Sequence, residues 1–173
     1  MDCRVRPETP EDHAQVYEVN RLAFGREEEA RLVEAMRQTP EHIPELSLVA
    51  EFHGRIIGHI LFSPITIETA DRPVPTLSLA PMAVRPDFQR RGVGSALVRA
   101  GLEAARRLGH KSVVVLGHAE YYPRFGFVPA RPRGIEPPLE APDEAFMLIE
   151  LVPDALAGVR GTVRYPAAYD AAL

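Results

Sequence analysis

The chain has 173 residues, of which 46% are hydrophobic and 25% are charged, and this composition is typical of one folded globular domain. Its formal net charge of −4 excludes the global positive field that draws proteins to nucleic acids or membranes. The single cysteine, Cys3, excludes an internal disulfide and a multi-cysteine zinc site.

The chain has no segment that predicts export or membrane insertion. The first fifteen residues are polar and charged and lack the apolar core of a secretory signal. No apolar run reaches the roughly 18 residues that a transmembrane helix needs, since His59 and Pro64 interrupt the best candidate. We therefore expect a cytoplasmic protein with no membrane partner and no nucleic-acid partner.

Residues 1–40 predict a short strand followed by two helices. Segment 3–8 alternates in the manner of a strand. Thr9 fits a helix cap with Pro10 at the first helical position, and apolar residues then recur at helical spacing. Segment 27–38 has the same periodicity and predicts the second helix.

Residues 45–84 predict three strands. β-Branched and aromatic residues dominate 45–69, and the pair His53-Gly54 favours a tight turn that divides this segment into two strands. A segment containing prolines breaks the pattern, and a further strand is predicted at 76–84.

A helix and a buried strand are predicted next. Apolar residues over 93–108 recur with the spacing of a buried helical stripe, and Gly109 ends the helix. Segment 111–117 is apolar nearly throughout, which is typical of a strand buried on both faces. Because a crossover helix joins this strand to 77–84, the two strands are predicted to be parallel neighbours.

The last third of the chain predicts a short helix, a proline-rich loop at 129–142 and one or two strands, one of them at 145–151. The predicted fold is therefore a mixed α/β sheet of mostly antiparallel character, with one parallel pair that diverges at one end and with flanking helices. We expect a single domain over 1–150, with 151–173 as a tail that completes the same domain.

The segment from Gln89 to Gly94 lies between a predicted strand and a predicted helix. Unpaired N–H groups at a helix N-terminus and the helix dipole together favour an anion. The sequence does not fit a P-loop, because no lysine follows either glycine, and it does not fit a dinucleotide fingerprint, because Leu97 stands where the third glycine is required. The alternative is an ordinary helix start with solvated arginines.

Two segments resemble the GNAT superfamily of N-acetyltransferases. The first, "LAPMAVRPDFQRRGVGSAL" at 79–97, is similar to its acetyl-CoA signature, an apolar-Ala-Val strand end, a proline-containing turn and Gln/Arg-x-x-Gly-x-Gly/Ala. The second, "EYYPRFGF" at 120–127, is similar to its Tyr-x-x-x-Gly-Phe motif. With the order of elements, the resemblance covers residues 3–150 and is strongest to a bacterial branch whose substrates are mostly unassigned.

The resemblance implies a site for acetyl-CoA, the co-substrate of the family. The pyrophosphate of the cofactor is expected on the loop N–H groups, with Gly92 and Gly94 keeping side chains away from it. The pantetheine arm is expected to pair with the backbone at the end of the preceding strand, in the gap between the diverging strands. The predicted cofactor-binding residues are Met82, Ala83, Val84, Gln89, Arg90, Arg91, Gly92, Val93, Gly94 and Ser95.

The resemblance also implies direct transfer of acetyl from the thioester to a primary amine, without an acyl-enzyme. Tyr122, the first residue of the second motif, is the candidate acid, because a phenol with a pKa of about 10 can give its proton to the departing sulfur. Tyr121 is the alternative acid, and packing in an aromatic cluster is the alternative role for Tyr122. Many family members have an asparagine at the end of the fifth strand, where Gly117 and His118 stand here, so the direction of Tyr122 is left open.

No general base and no metal ligands are assigned. The residues available as bases are Glu51, His59, Glu68 and Glu120. Exposed carboxylates and histidines on strands usually have structural roles. No set of His, Cys or Asp has the spacing of a metal site.

The sequence therefore predicts an acetyl-CoA-dependent N-acetyltransferase that acts on a small-molecule or protein amine. The alternative is a catalytically silent module that binds or senses acyl-CoA, since such a module needs the same loop. The acceptor is not identified by any motif. The 129–142 loop and the tail are expected to shape the acceptor pocket or a contact between two copies of the chain.

Overall fold

The computed structural model of the chain describes residues 2–170 and 172. The helices are α1 (His13–Phe24), α2 (Glu28–Arg37) and α3 (Val93–Arg107). The strands are β1 (Arg4–Pro7), β2 (Ser47–Phe52), β3 (Arg55–Glu68), β4 (Pro73–Val84), β5 (Ser112–Leu116), β6 (Val128–Pro129), β7 (Ile135–Glu136), β8 (Phe146–Glu150) and β9 (Gly161–Arg164). No helix among these residues is long and apolar enough to cross a lipid bilayer.

The predicted helices and strands up to residue 117 are all present in the structure, and most of the differences lie beyond it. One or two strands were expected after β5, whereas the structure has four, of which β6 and β7 are only two residues long. The strand predicted at 76–84 begins earlier, at Pro73. A single turn of 3-10 helix at Tyr122–Phe125 forms the short helix expected in this part of the chain.

The strands follow the order β1-β2-β3-β4-β5-β8-β6, with β9 pairing β3 and β7. β5 runs parallel to β4, while β1–β2, β2–β3, β5–β8 and β6–β8 are antiparallel. The parallel register joins Leu77 to Val113 and Ser78 to Val114, which is a small part of β4. A mostly antiparallel sheet with one parallel β4–β5 pair was predicted and is confirmed, and β7 and β9 form a second, short parallel pairing.

Contacts group the chain into two compact units. The first comprises Met1–Ser63, Ala80–Ala104 and Ala167–Leu173, and the second comprises Pro64–Leu79 and Ala105–Pro166. β3, β4 and α3 each have residues in both units. The expected single domain over 1–150, completed by 151–173, stays a prediction.

The first unit contains the two N-terminal helices. Thr9 and Asp12 form a reciprocal capping box before α1, and Gly25, with a φ of +70°, caps the C-terminus of α1. α1 buries Val16 and Val19 at helical spacing. α2 buries a similar stripe, formed by Ala30, Leu32, Val33 and Met36.

The second unit has an apolar core on one face of its strands. β5 and β8 form a five-residue antiparallel register that pairs Val114 with Leu148. Buried residues of β3, β5, β7, β8 and β9, together with two loop residues, form one cluster: Ile65, Ile67, Val114, Ala130, Ile135, Phe146, Leu148, Leu156 and Val163. This core supports the β5 end from which the Tyr-x-x-x-Gly-Phe segment departs.

A buried hydrogen-bond chain connects α1, α2 and the strands of the first unit. Asn20 Nδ2 lies 3.3 Å from His59 Nδ1, and His59 Nε2 lies 3.0 Å from the hydroxyl of Ser47. Ser47 donates to Glu8 Oε1 at 2.8 Å, and Arg37 donates to both oxygens of Glu8 at 3.2 and 3.0 Å. Because the Asn20 amide donates, His59 accepts at Nδ1 and carries its proton at Nε2.

This arrangement requires a neutral His59 and an ionised Glu8. Burial lowers the pKa of His59 from 6.5 to about 4. Burial alone would raise the pKa of Glu8, but the hydrogen bonds from Arg37 and Ser47 and the nearby charges outweigh it and lower that pKa. His42 also lies in the field of Glu8 and Arg37, and burial lowers its pKa.

We expect the protein to lose stability as the pH falls from 6.5 towards 4. Over this window the unfolded chain takes up a proton at His59 that the folded chain excludes, so lower pH favours unfolding. Between pH 7 and pH 5 this linkage amounts to about 2 kcal/mol of unfolding free energy. Urea denaturation at both pH values should show that His59→Gln loses less stability than the wild type. Equal losses in the two proteins would contradict the assignment.

Candidate functional site

The predicted anion-binding loop lies in the first unit, between β4 and α3. A short 3-10 turn, Pro86–Phe88, follows β4, and residues 89–92 then lead into α3 at Val93. Gln89, Arg90, Arg91 and Gly92 are all exposed. The predicted loop therefore reaches the surface just before a 15-residue helix begins.

The backbone of this loop adopts a conformation that favours glycine. Gly92 has a φ of +86°, and no heavy atom lies within 4 Å of a Cβ built there. Arg90 also has a positive φ, +62°, which is uncommon for a residue with a side chain. The Ala96 N–H donates to the Gly92 carbonyl at 3.0 Å and begins the hydrogen bonding of α3. The loop thus presents open backbone at the positive end of the helix dipole.

Two hydrogen bonds attach the loop to the strands before it. The Gln89 side-chain amide donates to the Val84 carbonyl at 3.0 Å. The Arg85 N–H donates to the Ile57 carbonyl of β3 at 2.8 Å. These contacts fix the direction in which the chain leaves β4.

The remaining predicted cofactor-binding residues lie on either side of the loop. Met82 and Val84 are half-buried and Ala83 is buried at the end of β4. Val93 is buried, and Gly94 and Ser95 are half-buried in the first turn of α3. The predicted cofactor-binding residues therefore lie at the end of β4, in the loop and in the first turn of α3.

An aromatic and basic cluster that the sequence did not predict lies beside the loop. The guanidinium carbons of Arg55 and Arg91 lie 5.9 and 5.8 Å from the centre of the Phe88 ring. Phe52, at the end of β2, packs edge-on against the same ring at 5.7 Å. Arg55 and Phe88 are far apart in sequence, so only the fold brings this arginine to the loop.

Tyr122, the predicted acid, lies in the second unit, in the 3-10 turn after β5. Only 6% of the residue is exposed. Burial, with a smaller effect from Tyr121, raises the pKa of its phenol above the ordinary value of 10. The phenol therefore stays protonated at neutral pH, as a proton donor must.

The alternative acid, Tyr121, has a different environment from Tyr122. Tyr121 is half-buried, and the guanidinium carbon of Arg124 lies 4.5 Å from the centre of its ring. His118 and Glu120 are exposed in the segment that precedes the two tyrosines. Burial thus distinguishes Tyr122 from its neighbour.

Three of the candidate bases have structural partners. Glu51 accepts a hydrogen bond from Arg6 at 2.8 Å, and Glu68 forms an ion pair with Arg164 at 3.1 Å. His59 is fully buried in the hydrogen-bond chain described above. Within residues 2–170 and 172, no three His, Cys, Asp or Glu side chains form a group that could hold a metal ion.

Comparison with known proteins identifies the family. Residues 13–127 match the family described as Acetyltransferase (GNAT) family. The chain is 43% identical over 135 residues to the uncharacterized N-acetyltransferase YjhQ of Escherichia coli K12, which covers 77% of this chain and 74% of that protein.

Two solved structures resemble the fold closely. The GNAT family N-acetyltransferase YhbS from Escherichia coli, in complex with CoA, has a TM-score of 0.88 and 31% identity over 96% of this chain and 91% of that chain. A GNAT family acetyltransferase from Brucella melitensis, in complex with acetyl-CoA, has a TM-score of 0.78 and 34% identity over 98% and 99%. The predicted fold class and the prediction of an N-acetyltransferase are both confirmed. This chain belongs to the GNAT family of acetyltransferases.

Proposed function

We propose that the chain transfers an acetyl group from acetyl-CoA directly to a primary amine. Membership of the GNAT family supports acetyl transfer, and two similar structures are complexes with CoA and acetyl-CoA. The observation that carries the proposal is the exposed loop at 89–92, which opens into the N-terminus of α3 with free space around Gly92.

The loop has the properties that a pyrophosphate site requires. Backbone N–H groups at a helix N-terminus donate to anions, and the absence of a side chain at Gly92 permits close approach. Arg90 and Arg91 add positive charge at the exposed surface. We assign the phosphate contacts mainly to the N–H groups of residues 90–95, because exposed arginine contacts contribute little each.

We assign the pantetheine arm to the backbone at the end of β4, residues Met82, Ala83 and Val84. The parallel register between β4 and β5 includes only Leu77 and Ser78 of β4, so hydrogen bonding to β5 does not occupy this end of the strand among the described residues. Backbone N–H groups near Val84 are candidates to polarise the thioester carbonyl. The Arg85 N–H is already engaged, since it donates to Ile57.

We assign proton donation to Tyr122. Acetyl-CoA supplies the activated acetyl group and a sulfur leaving group. The amine nitrogen forms a bond to the acetyl carbon, the carbon–sulfur bond breaks, and the Tyr122 hydroxyl gives its proton to the sulfur. The raised pKa of Tyr122 means that the phenolate recovers a proton readily, and the proton released by the amine restores it.

A small-molecule or protein amine is proposed, with the 129–142 loop and the tail shaping its pocket or a homodimer contact. Within this loop, Arg131 donates to Glu136 at 2.8 Å and to the Ala141 carbonyl at 2.7 Å, so one side chain holds the loop in shape. We propose that all of these parts act as one domain in the cytoplasm.

We expect purified protein to release free thiol from acetyl-CoA when the correct amine is present. A panel of polyamines, small-molecule amines and peptides with free amino groups tests the reaction, with thiol release as the readout. Mass spectrometry of the amine should show one added acetyl group. Binding of acetyl-CoA by calorimetry without acetylation of any amine would favour the silent binding module.

A further inference from the structure

The ring of Tyr122 packs directly against the backbone of Gly117, with no room for a side chain there. A Cβ built on Gly117 would lie 2.6 Å from Cε2 of Tyr122 and 3.3 Å from Cδ2. Real Cβ atoms do not approach another heavy atom at 2.6 Å. Any residue larger than glycine at this position must therefore displace the ring.

Gly117 itself is held by the sheet. It follows the last residue of β5, and its N–H donates to the Ala145 carbonyl at 2.9 Å. The register between β5 and β8 ends just before this point, where Leu116 pairs with Phe146. The contact surface for Tyr122 is therefore backbone fixed by strand pairing and not a flexible side chain.

Phe127 forms a second contact with the same ring. Its ring centre lies 5.6 Å from that of Tyr122 in an edge-to-face arrangement, and only 2% of Phe127 is exposed. Tyr121 packs edge-to-face on Tyr122 at 5.2 Å, and Phe125 lies at 6.4 Å. These neighbours pack closely around the ring of Tyr122. A shift of the ring away from an atom added at Gly117 would therefore disturb their packing.

We propose that Gly117 and Phe127 are positioning residues for the reaction, because together they set the direction of the Tyr122 hydroxyl. The inference rests on the proposed role of Tyr122 as the acid. It explains how the chain directs this tyrosine with a glycine that directly follows β5. A proton donor that is misplaced by about 1 Å loses on the order of 10²-fold in rate, so a small displacement of the ring has a large effect.

The test is a double-mutant cycle on the full chain. Gly117→Ala and Phe127→Leu are each made in the wild type and in Tyr122→Phe, and kcat and KM for acetyl-CoA are measured with an accepted amine. Each substitution should lower kcat by about 10-fold or more in the wild type, with KM changed by less than about 3-fold. In Tyr122→Phe, where no hydroxyl remains to be directed, each should change kcat by less than about 2-fold.

Ile135→Val is the control, since Ile135 is fully buried in the core cluster of the same unit but lies in β7, which pairs with β9. It should lower the melting temperature and keep kcat. Phe127→Leu adds no atom at Gly117, so it tests the idea even where Gly117→Ala does not fold.

The outcomes separate the inference from the proposed function. The inference is overturned, and the proposed function is not, if Gly117→Ala and Phe127→Leu both keep the wild-type kcat. The same conclusion follows if each substitution lowers kcat in Tyr122→Phe by the same factor as in the wild type. Full activity of Tyr122→Phe itself overturns the acid assignment and the inference with it.

Discussion

Tyr122→Phe should lower kcat by on the order of 10²-fold while acetyl-CoA affinity stays near that of the wild type. The substitution removes only the hydroxyl, and the buried ring keeps its contacts with Tyr121 and Phe127. Steady-state rates with an accepted amine and calorimetry with acetyl-CoA measure the two effects separately. Since burial raises the pKa of Tyr122, the rate should not fall through loss of this proton until the pH exceeds the ordinary tyrosine value of 10.

Tyr121→Phe is the control for this prediction, because it removes the neighbouring hydroxyl. It should leave kcat close to the wild-type value. If Tyr121→Phe lowers kcat and Tyr122→Phe keeps the wild-type kcat, the proton donor is Tyr121. Full activity of both variants would mean that another group or water supplies the proton.

Gly92→Val should reduce acetyl-CoA binding below detection by calorimetry. A β-branched residue is strongly disfavoured at a φ of +86°, so the loop must change its backbone conformation. The valine side chain also occupies the open space through which we expect the pyrophosphate to approach the helix N-terminus. Gly94→Val is expected to have the same effect, whereas Arg90→Ala should weaken binding by only about 2- to 5-fold.

Gly158→Val is the matched control for Gly92→Val. Gly158 also has a positive φ, +75°, and open space around a built Cβ, but it lies in a turn of the second unit. It should lower thermal stability by a similar amount and keep acetyl-CoA affinity. If Gly92→Val binds acetyl-CoA with wild-type affinity, the loop is not the pyrophosphate site.

Elements with strong local patterns were predictable because neighbouring residues determine them. The α3 stripe, the His53-Gly54 turn and the apolar β5 strand each depend on spacing within one short segment. The glycine loop was predictable for the same reason, since the end of a strand, a turn with a proline and the start of a helix follow one another within residues 79–97. These parts include most of the predicted cofactor-binding residues.

The parts that could not be predicted depend on long-range pairing. β6 and β7 are two residues long, too short to have a periodicity, and they exist because β8 and β9 supply hydrogen-bond partners. Sequence likewise left His59 as a candidate base, whereas the fold buries it between Asn20 and Ser47. Contacts of this kind join residues tens of positions apart, and no local pattern records them.

The family, the order of the main elements up to β5 and the position of the anion loop follow from the sequence, because these features depend on residue types within short windows. The environment of Tyr122 follows from the fold and from no sequence pattern. Its burial, its raised pKa and its contact with Gly117 arise because strand pairing fixes the end of β5 and the aromatic rings pack around it. A local sequence motif can identify Tyr122 as a candidate acid. The pKa of its phenol and the orientation of its hydroxyl depend on the atoms that the fold places around it.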